Sequence, residues 1–374
     1  MMSRVLILIS ACMYYSGLIR LGRWWTRMLG PHLVILNYHR AAQGDLRRQM
    51  LYLRRHYNVL HLKDALQELQ TLHKDELRRG YARTPLVLSF DDGYRDNYTY
   101  GAQLARELQV PITIFLPPGY IESGRRFWWE EGEHLVADAQ VKQAIIEEKL
   151  YHLDQVEERK ALANAIDQHL CYASSVAERE EFLESIRELL VVSAPITDEE
   201  WETLPLSWAE IQAMSENEWV SFGAHTMHHP ILSCLADPTE LYYEVNECRT
   251  VLEQRLKQPI EAFAYPVGGF KHIGEQSPQV VQAAGYKWAL TTEDGFNTPK
   301  TDPYLLRRVI VDVDQHWLMV AAKASGIWGV FSRLGWKVIK LLWKDAPEPI
   351  PFSPPGTLLA RKTPVPSDVQ PLKK

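Results

Sequence analysis

The sequence predicts an α/β fold built on a parallel sheet, and three observations carry that prediction. Most of eight short β-rich runs are continuous apolar stretches rather than alternating ones, as strands buried on both faces are. Amphipathic helical stretches lie between them, which is the rhythm of repeated strand and helix units. The chain has 374 residues, 46% hydrophobic and 24% charged, so it can bury a large core and is excluded from the disordered class. At roughly 150 residues per domain the length suggests two domains, yet a barrel of strand and helix units reaches ~250 residues as one. The sheet is therefore expected either closed as a barrel or open and doubly wound.

At the amino terminus, Val5 to Ile19 is apolar but interrupted by Ser10, Ser16 and Gly17. A spanning helix needs about 20 apolar residues, so this stretch is too short for one. Arg4 ahead of it, with Ile9, Ser10, Ala11 and Cys12, makes a cleaved secretory signal of lipoprotein type a competing reading, although the apolar region is short for such signals. Within residues 1–30, Tyr14, Leu18, Trp25 and Met28 can share one helical face, with Arg20, Arg23 and Arg27 around it. This is an amphipathic, membrane-proximal helix by expectation.

Candidate strands follow at Leu33 to Tyr38, Asn58 to Leu60, Leu86 to Phe90, Ile112 to Leu116, Val220 to Phe222, Ile260 to Tyr265, Trp288 to Thr291 and Arg308 to Val311. Helices are expected at Asp45 to Arg55, Leu62 to Arg79, Asp96 to Leu108, Pro238 to Leu256 and Ser277 to Ala284. From Gly119 to about Leu206 no good strand stands out, and helical segments at Val141 to Leu153, Val156 to Leu170 and Val176 to Leu190 read as a helical insertion over about 119–206. An insertion at a strand's carboxyl end is where specificity loops sit, unless it simply covers the outside. Its Phe127, Trp128 and Trp129 are either core or a platform for a sugar face.

The strand and helix unit thus covers 31–315, followed by an amphipathic helix at 316–344 and a proline-rich, disordered tail at 345–374. In the penultimate segment Trp328, Phe331, Val338 and Leu342 recur at helical spacing among Arg333, Lys337, Lys340 and Lys344. Two basic amphipathic segments suggest an anionic membrane surface as a partner, since apolar burial and cation attraction to lipid add. The alternative is that both cover the barrel. Localisation is accordingly expected at a membrane, on its cytoplasmic or periplasmic face.

Formal charge is −6, from 41 Lys and Arg against 47 Asp and Glu, so no global basic field attracts nucleic acid, and none is expected as a partner. Cys12, Cys171, Cys234 and Cys248 form neither a disulfide scaffold nor a CxxC pair, which argues against thiolate metal chemistry. With 13 histidines the imidazoles are the better place to look.

Asp91 and Asp92 close the Leu86 to Phe90 run and precede Gly93. Acidic residues at the end of a buried strand are costly unless paired with a cation or metal, and barrel enzymes place their chemistry there. Helix capping by Asp92 or Asp96 is the competing reading. The second cluster, His225, Thr226, Met227, His228, His229 and Pro230, directly follows the Val220 to Phe222 run. Imidazoles so spaced can converge on one cation, and histidine is a common ligand of Zn²⁺. One carboxylate with two histidines leaves open positions on an ion, the arrangement of a site that activates water.

Ser89, Phe90, Asp91, Asp92, Gly93 and the later His225 to Pro230 resemble the first two motifs of the polysaccharide deacetylases, the NodB-homology or carbohydrate esterase family 4 group. Phe263, Ala264, Tyr265, Pro266, Val267, Gly268 and Gly269 resemble the third, and Leu36, Asn37, Tyr38, His39 and Arg40 the first strand. The similarity covers about 33–312. It implies a distorted, incomplete (β/α) barrel with a helical insertion, and a hydrolase of carbon–nitrogen, non-peptide bonds that removes an N-acetyl group from an amino sugar of a polysaccharide or lipid-linked glycan. By the same resemblance Asp91 is the general base and Asp92, His225 and His229 hold a divalent metal, with Zn²⁺ first and Co²⁺, Ni²⁺ or Mn²⁺ as alternatives. Tyr265, Pro266 and Val267 form the oxyanion and substrate segment, in which the Val267 amide is the donor.

Two features depart from the family pattern. Ala264 stands where an arginine often pairs with the catalytic aspartate, leaving Arg307 or Arg308 as substitutes. No counterpart of the late histidine is evident, leaving His39 and His272 as guesses for the general acid. Other functions consistent with the sequence are a deformylase or esterase on another acylated sugar, and a catalytically impaired carbohydrate-binding protein.

Overall fold

The computed structural model describes residues 2–42, 44–71, 83–146, 148–192 and 198–329. Its centre is a curled, all-parallel sheet of β1 (Val34–Tyr38), β2 (Asn58–Val59), β3 (Pro85–Phe90), β4 (Ile112–Leu116), β7 (Val220–Ala224), β8 (Ala262–Ala264), β9 (Trp288–Leu290) and β10 (Val309–Ile310). The order is β10-β1-β3-β4-β7-β8-β9, with β2 on the β3 edge. β1, β3 and β4 are buried at every position, which explains why their sequences lack alternation. The sheet nearly closes. Leu306 bridges to Leu290 of β9, and three residues later Val309 pairs with Leu36 of β1, so the segment around Arg308 joins the two edges. This seam makes the architecture the distorted, incomplete (β/α) barrel, and the open doubly wound sheet is set aside.

All eight expected strands are present, several of them shorter than read from sequence. Register aligns their carboxyl ends. Tyr38 lies opposite Phe90, and Leu116 opposite Ala224, so His39, Asp91 and His225 all emerge at one edge of the sheet. Helices Pro238–Leu256 and Val176–Leu190 have the expected limits. The helix expected from Asp96 instead opens as a wide π turn over Asn97–Ala102 before continuing as Gln103–Leu108. Its start is held by the buried Asp96, whose carboxylate takes Arg40 at 2.6 Å and the Ala42 N–H at 3.2 Å rather than capping the helix.

Two further expectations are corrected. Val141 to Leu153 is not helical but an antiparallel hairpin of β5 (Gln143–Ile146) and β6 (Lys149–His152). Ala144, Ile146 and Tyr151 are buried while their neighbours face solvent, so the period is two, and Glu148 turns the chain at φ +64°. Apolar residues so closely spaced also satisfy a helical stripe, which is why the two readings compete in sequence. Residues 1–30 form not one helix but two, Met2–Tyr15 and Leu18–Leu29, because Gly17 adopts φ +82° between them. No single helix among the described residues is long and apolar enough to cross a membrane. Of the segment expected at 316–344, helix Trp317–Ala324 is present and turns at Gly326; residues from 330 on, and so the expected tail at 345–374, lie outside the described residues.

The insertion has its own core, in which Phe127 and Trp128 are buried with Leu162, Ile166 and Leu190. Core is thus the answer for those two aromatics. Helices Trp128–Ala137 and Val156–Cys171 cross so closely at Gly132 that a Cβ there would lie 2.3 Å from Asp167 Oδ1. The Gly132 N–H donates to Asp167 at 3.1 Å, but burial, with Glu133 and Glu130 nearby, pushes the carboxyl up to about 7. The native state therefore keeps a proton that the unfolded chain releases near pH 4, and stability falls as pH rises from there through about 7. Asp167→Asn is expected to raise stability at pH 8, on the order of 2 kcal/mol, and to leave it unchanged at pH 4, as read by denaturant unfolding at the two pH values.

Candidate active site

β3 and β7 deliver the site from neighbouring positions on the sheet, with β4 between them. Beyond Phe90 the chain turns sharply. Asp92 takes φ +70° and Gly93 φ +66°, and the Gly93 N–H returns to the Asp91 carbonyl at 2.9 Å. A side chain at Gly93 would approach Leu116 to 2.9 Å, so the turn needs glycine for space as well as for φ. Beyond Ala224, Thr226 and His229 also take positive φ, and the Thr226 hydroxyl accepts the His229 N–H at 2.9 Å. Beyond β8, Val267 sits at φ +60°, a strained value for a β-branched residue, while its carbonyl accepts from the Thr292 hydroxyl. Strained backbone at all three strand ends is held by hydrogen bonds and burial around it, as functional sites often are.

These turns bring three side chains together. Asp92 Oδ1 lies 3.3 Å from His225 Nε2 and 3.4 Å from His229 Nε2, and all three residues are buried. His225 Nδ1 faces the Ala264 carbonyl at 2.7 Å; a carbonyl only accepts, so Nδ1 carries a proton and Nε2 is the nitrogen turned to Asp92. Burial pushes the His229 imidazole down to about 4, which keeps it neutral and free to ligate. Burial alone would raise Asp92, but His225 and His229 hold it well below the usual carboxylate range. Ligands about 2.0–2.2 Å from a tetrahedral ion stand roughly 3.3–3.6 Å apart, so the spacing and the donor chemistry fit a first-row divalent cation.

Asp91 has a different partner. Arg308, fully buried at the barrel seam, donates from Nη1 to Oδ1 and from Nη2 to Oδ2, both at 2.7 Å. The same guanidinium donates to Asn37 Oδ1 at 3.0 Å and, through Nε, to the Thr291 carbonyl at 2.8 Å. Burial raises the Asp91 carboxyl, but Arg308 and His225 outweigh it and bring it below its ordinary value. Arg308 thus supplies the cation that Ala264 lacks, whereas Arg307 donates to the Asp294 carbonyl at the surface.

The remaining sequence candidates divide. His39 directly follows β1 beside the site, near enough to Asp91 and Asp92 to act on both carboxylates. His272 lies in the short helix Phe270–Ile273 with Lys271 and Glu293 as its charged neighbours, and no hydrogen bond or ion pair joins it to the triad among the described residues. Pro266 and Val267 occupy the turn at the catalytic edge, and no acceptor takes the Val267 N–H among the described residues. Tyr265 does not face that edge: its side chain is fully buried and its hydroxyl donates to the Tyr304 carbonyl at 3.1 Å. His228 does not point to the triad; it pairs with the buried Glu244 at 2.6 Å.

The sequence singles out Trp128 and Trp129 only as core or a sugar platform, and it does not single out Arg179 or Glu244, which together with them wall the site. Trp128 Nε1 donates to the His229 carbonyl at 3.0 Å, and the half-buried Trp129 ring stands 4.3 Å from the His229 imidazole. Arg179 donates to the His228 carbonyl at 2.8 Å, and Glu244 holds the His228 N–H at 2.8 Å. An arginine in a charged helix carries no local sign of such a role.

The fold has counterparts among known proteins. The polysaccharide deacetylase family model matches residues 79–289. Among solved structures, the Streptococcus pyogenes deacetylase PplD in complex with acetate is similar, at 16% identity and a TM-score of 0.50, over 78% of this chain and 98% of that one. IcaB from Ammonifex degensii is similar at 18% identity and a TM-score of 0.50, over 79% and 98%. At such identities the likeness is one of fold. No curated protein matches the sequence. With the family motifs spanning more than half of the chain on the expected barrel, this protein belongs to the polysaccharide deacetylase family and is a hydrolase of N-acetyl carbon–nitrogen bonds.

Proposed function

We propose that this enzyme is a zinc-dependent deacetylase that removes N-acetyl groups from amino-sugar residues of a polysaccharide, with Asp92, His225 and His229 as the metal ligands and Asp91 as the general base. The observation that carries this reading is the pairing of two neighbouring buried carboxylates with different partners, Asp91 with Arg308 and Asp92 with the two imidazoles. A divalent ion in the triad supplies Lewis-acid polarisation of the acetyl carbonyl and a more acidic water.

Asp91 takes the proton of the attacking water. Arg308 keeps that carboxylate ionised and fixes its plane through two parallel hydrogen bonds. The Val267 N–H donates to the oxyanion of the tetrahedral intermediate, and such a donor contributes about 3 kcal/mol in other acyl-transfer enzymes. His39, better placed than His272, gives the leaving amine its proton. Trp129 and the insertion exclude water from the His229 side, and acetate and a free amino sugar are the products. The alternative of an impaired binding protein is motivated by the missing arginine and the missing late histidine, and Arg308 answers the first of these. Deformylation or ester cleavage would use the same residues, and the N-acetyl reading is favoured by the family's chemistry.

Acetate release from N-acetylglucosamine oligomers, measured beside the metal content of the purified protein, tests the assignment. Asp91→Asn is expected to keep the metal and lose about 10²–10⁴-fold in turnover, whereas His225→Ala loses both. Undiminished release by Asp91→Asn contradicts the base assignment. Arg308→Ala strands a buried carboxylate and is expected to cost about 3–5 kcal/mol of stability by denaturant unfolding, with much of that loss recovered when Asp91→Asn is added.

A further inference from the structure

Away from the catalytic edge, the chain carries a surface that the deacetylase chemistry does not use. No Asp or Glu precedes Asp45, while Arg4, Arg20, Arg23 and Arg27 fall in that stretch, in a protein whose net charge is −6. Helices Met2–Tyr15 and Leu18–Leu29 meet at a 70° bend. One side of the pair is anchored: Ile19 is buried, and the Tyr14 ring packs on Trp317 at 5.0 Å. The other side leaves Leu8, Leu21, Trp24, Trp25 and Leu29 exposed, with Leu8 and Leu29 more than 60% accessible. Large apolar residues at such exposure, ringed by arginines, suit burial at a membrane interface.

Beside Tyr14 lies a concavity of about 570 Å³, lined by Arg48, Arg54, Arg55, His56, Tyr52 and Trp317 among others. Arg48 meets Asp45 at 3.5 Å, but no carboxylate pairs with Arg54 or Arg55 among the described residues. The hydroxyl of Tyr52, a residue more than nine-tenths buried, and Arg23 Nη1 are buried without hydrogen-bond partners. Arg23 also stands over the Tyr52 ring at 5.8 Å. Burial together with Arg23, Arg55 and Arg83 pushes the His56 imidazole down to about 4, as a strongly positive environment does. Unspent donors and cations in an aromatic hollow suit a phosphate group.

We propose that the amino-terminal helix pair and this basic pocket dock the enzyme on an anionic phospholipid bilayer, with a lipid phosphate seated among Arg48, Arg54 and Arg55. Helix Leu46–His56 runs from the carboxyl end of β1 to the amino end of β2, and Leu18–Leu29 ends just before β1 begins, so Arg54, Arg55 and Leu29 sit toward the amino edge of the sheet, away from the catalytic edge. The docking surface stands independently of the metal site.

Cosedimentation of the full chain with vesicles tests this directly. Vesicles containing phosphatidylglycerol are expected to bind it, phosphatidylcholine vesicles to bind it weakly, and added salt to release it. The exposed pair Arg54→Glu/Arg55→Glu is expected to weaken binding at least about tenfold, and Trp24→Ala/Trp25→Ala comparably, with acetate release from soluble oligomers unchanged in both. Millimolar inorganic phosphate is expected to compete only partly, because the apolar anchors remain. Equal binding to both vesicle types, no binding, or full retention by either variant overturns the proposal. So does a lipid-independent dimer that Trp24→Ala/Trp25→Ala dissolves, since a second copy would then be the occupant. Binding is read without turnover, so its failure leaves the deacetylase reading intact, and loss of turnover leaves the docking reading intact.

Discussion

Two adjacent carboxylates buried at the end of a central strand are the constraint around which this molecule is arranged. Each buried charge costs several kcal/mol unless a cation or good hydrogen bonds compensate it. Asp91 and Asp92 cannot share one partner, because the reversal of the chain at Asp92 sends their side chains to different surroundings. Asp91 is answered by Arg308 and Asp92 by two imidazoles. The first answer depends on sheet closure: Arg308 reaches the interior only because Leu306 joins β9 while Val309 joins β1. The seam that completes the barrel is thus also the element that keeps Asp91, the proposed base, ionised and oriented.

The second answer depends on the insertion. The triad lies at the edge of the sheet, where solvent would otherwise weaken every charge interaction, and the aromatic core of the insertion shields the His229 side. The insertion is tied to the histidine motif through backbone carbonyls, by Trp128 to His229 and by Arg179 to His228. Carbonyl anchors of this kind hold the loop while leaving the ligand nitrogens uncommitted. Glu244, from helix Pro238–Leu256, fixes the motif from the other side through the His228 amide and ring.

Much of this was legible in the sequence, and the limits have physical causes. Continuous apolar runs located most strands of the barrel because β1, β3, β4 and β8 are buried at every position, and the register of parallel strands then placed Asp91, Asp92 and His225 at one edge. The β5–β6 hairpin was read as helix because it packs on the insertion with one face only, in a stretch too short for a period of two to stand out. Arg308 was one of two candidates, since neighbouring strand residues point to opposite faces and the sequence does not say which face is inward. Tyr265 looked like part of the substrate segment because it adjoins Pro266, yet alternation turns its ring into the core. Arg179 and Trp129 reach the site only through tertiary packing of a separate core.

The central claim is that Asp92, His225 and His229 enclose one cation beside an aspartate clamped by Arg308. Anomalous X-ray diffraction at the zinc edge, from crystals of the full chain grown with zinc, measures this most directly. The account predicts one strong peak about 2.0–2.3 Å from an Asp92 carboxylate oxygen and from Nε2 of both histidines, with the Asp91 carboxylate still held by Arg308. A saturated crystal with no peak at that position, or with the ion held by other side chains, would contradict it.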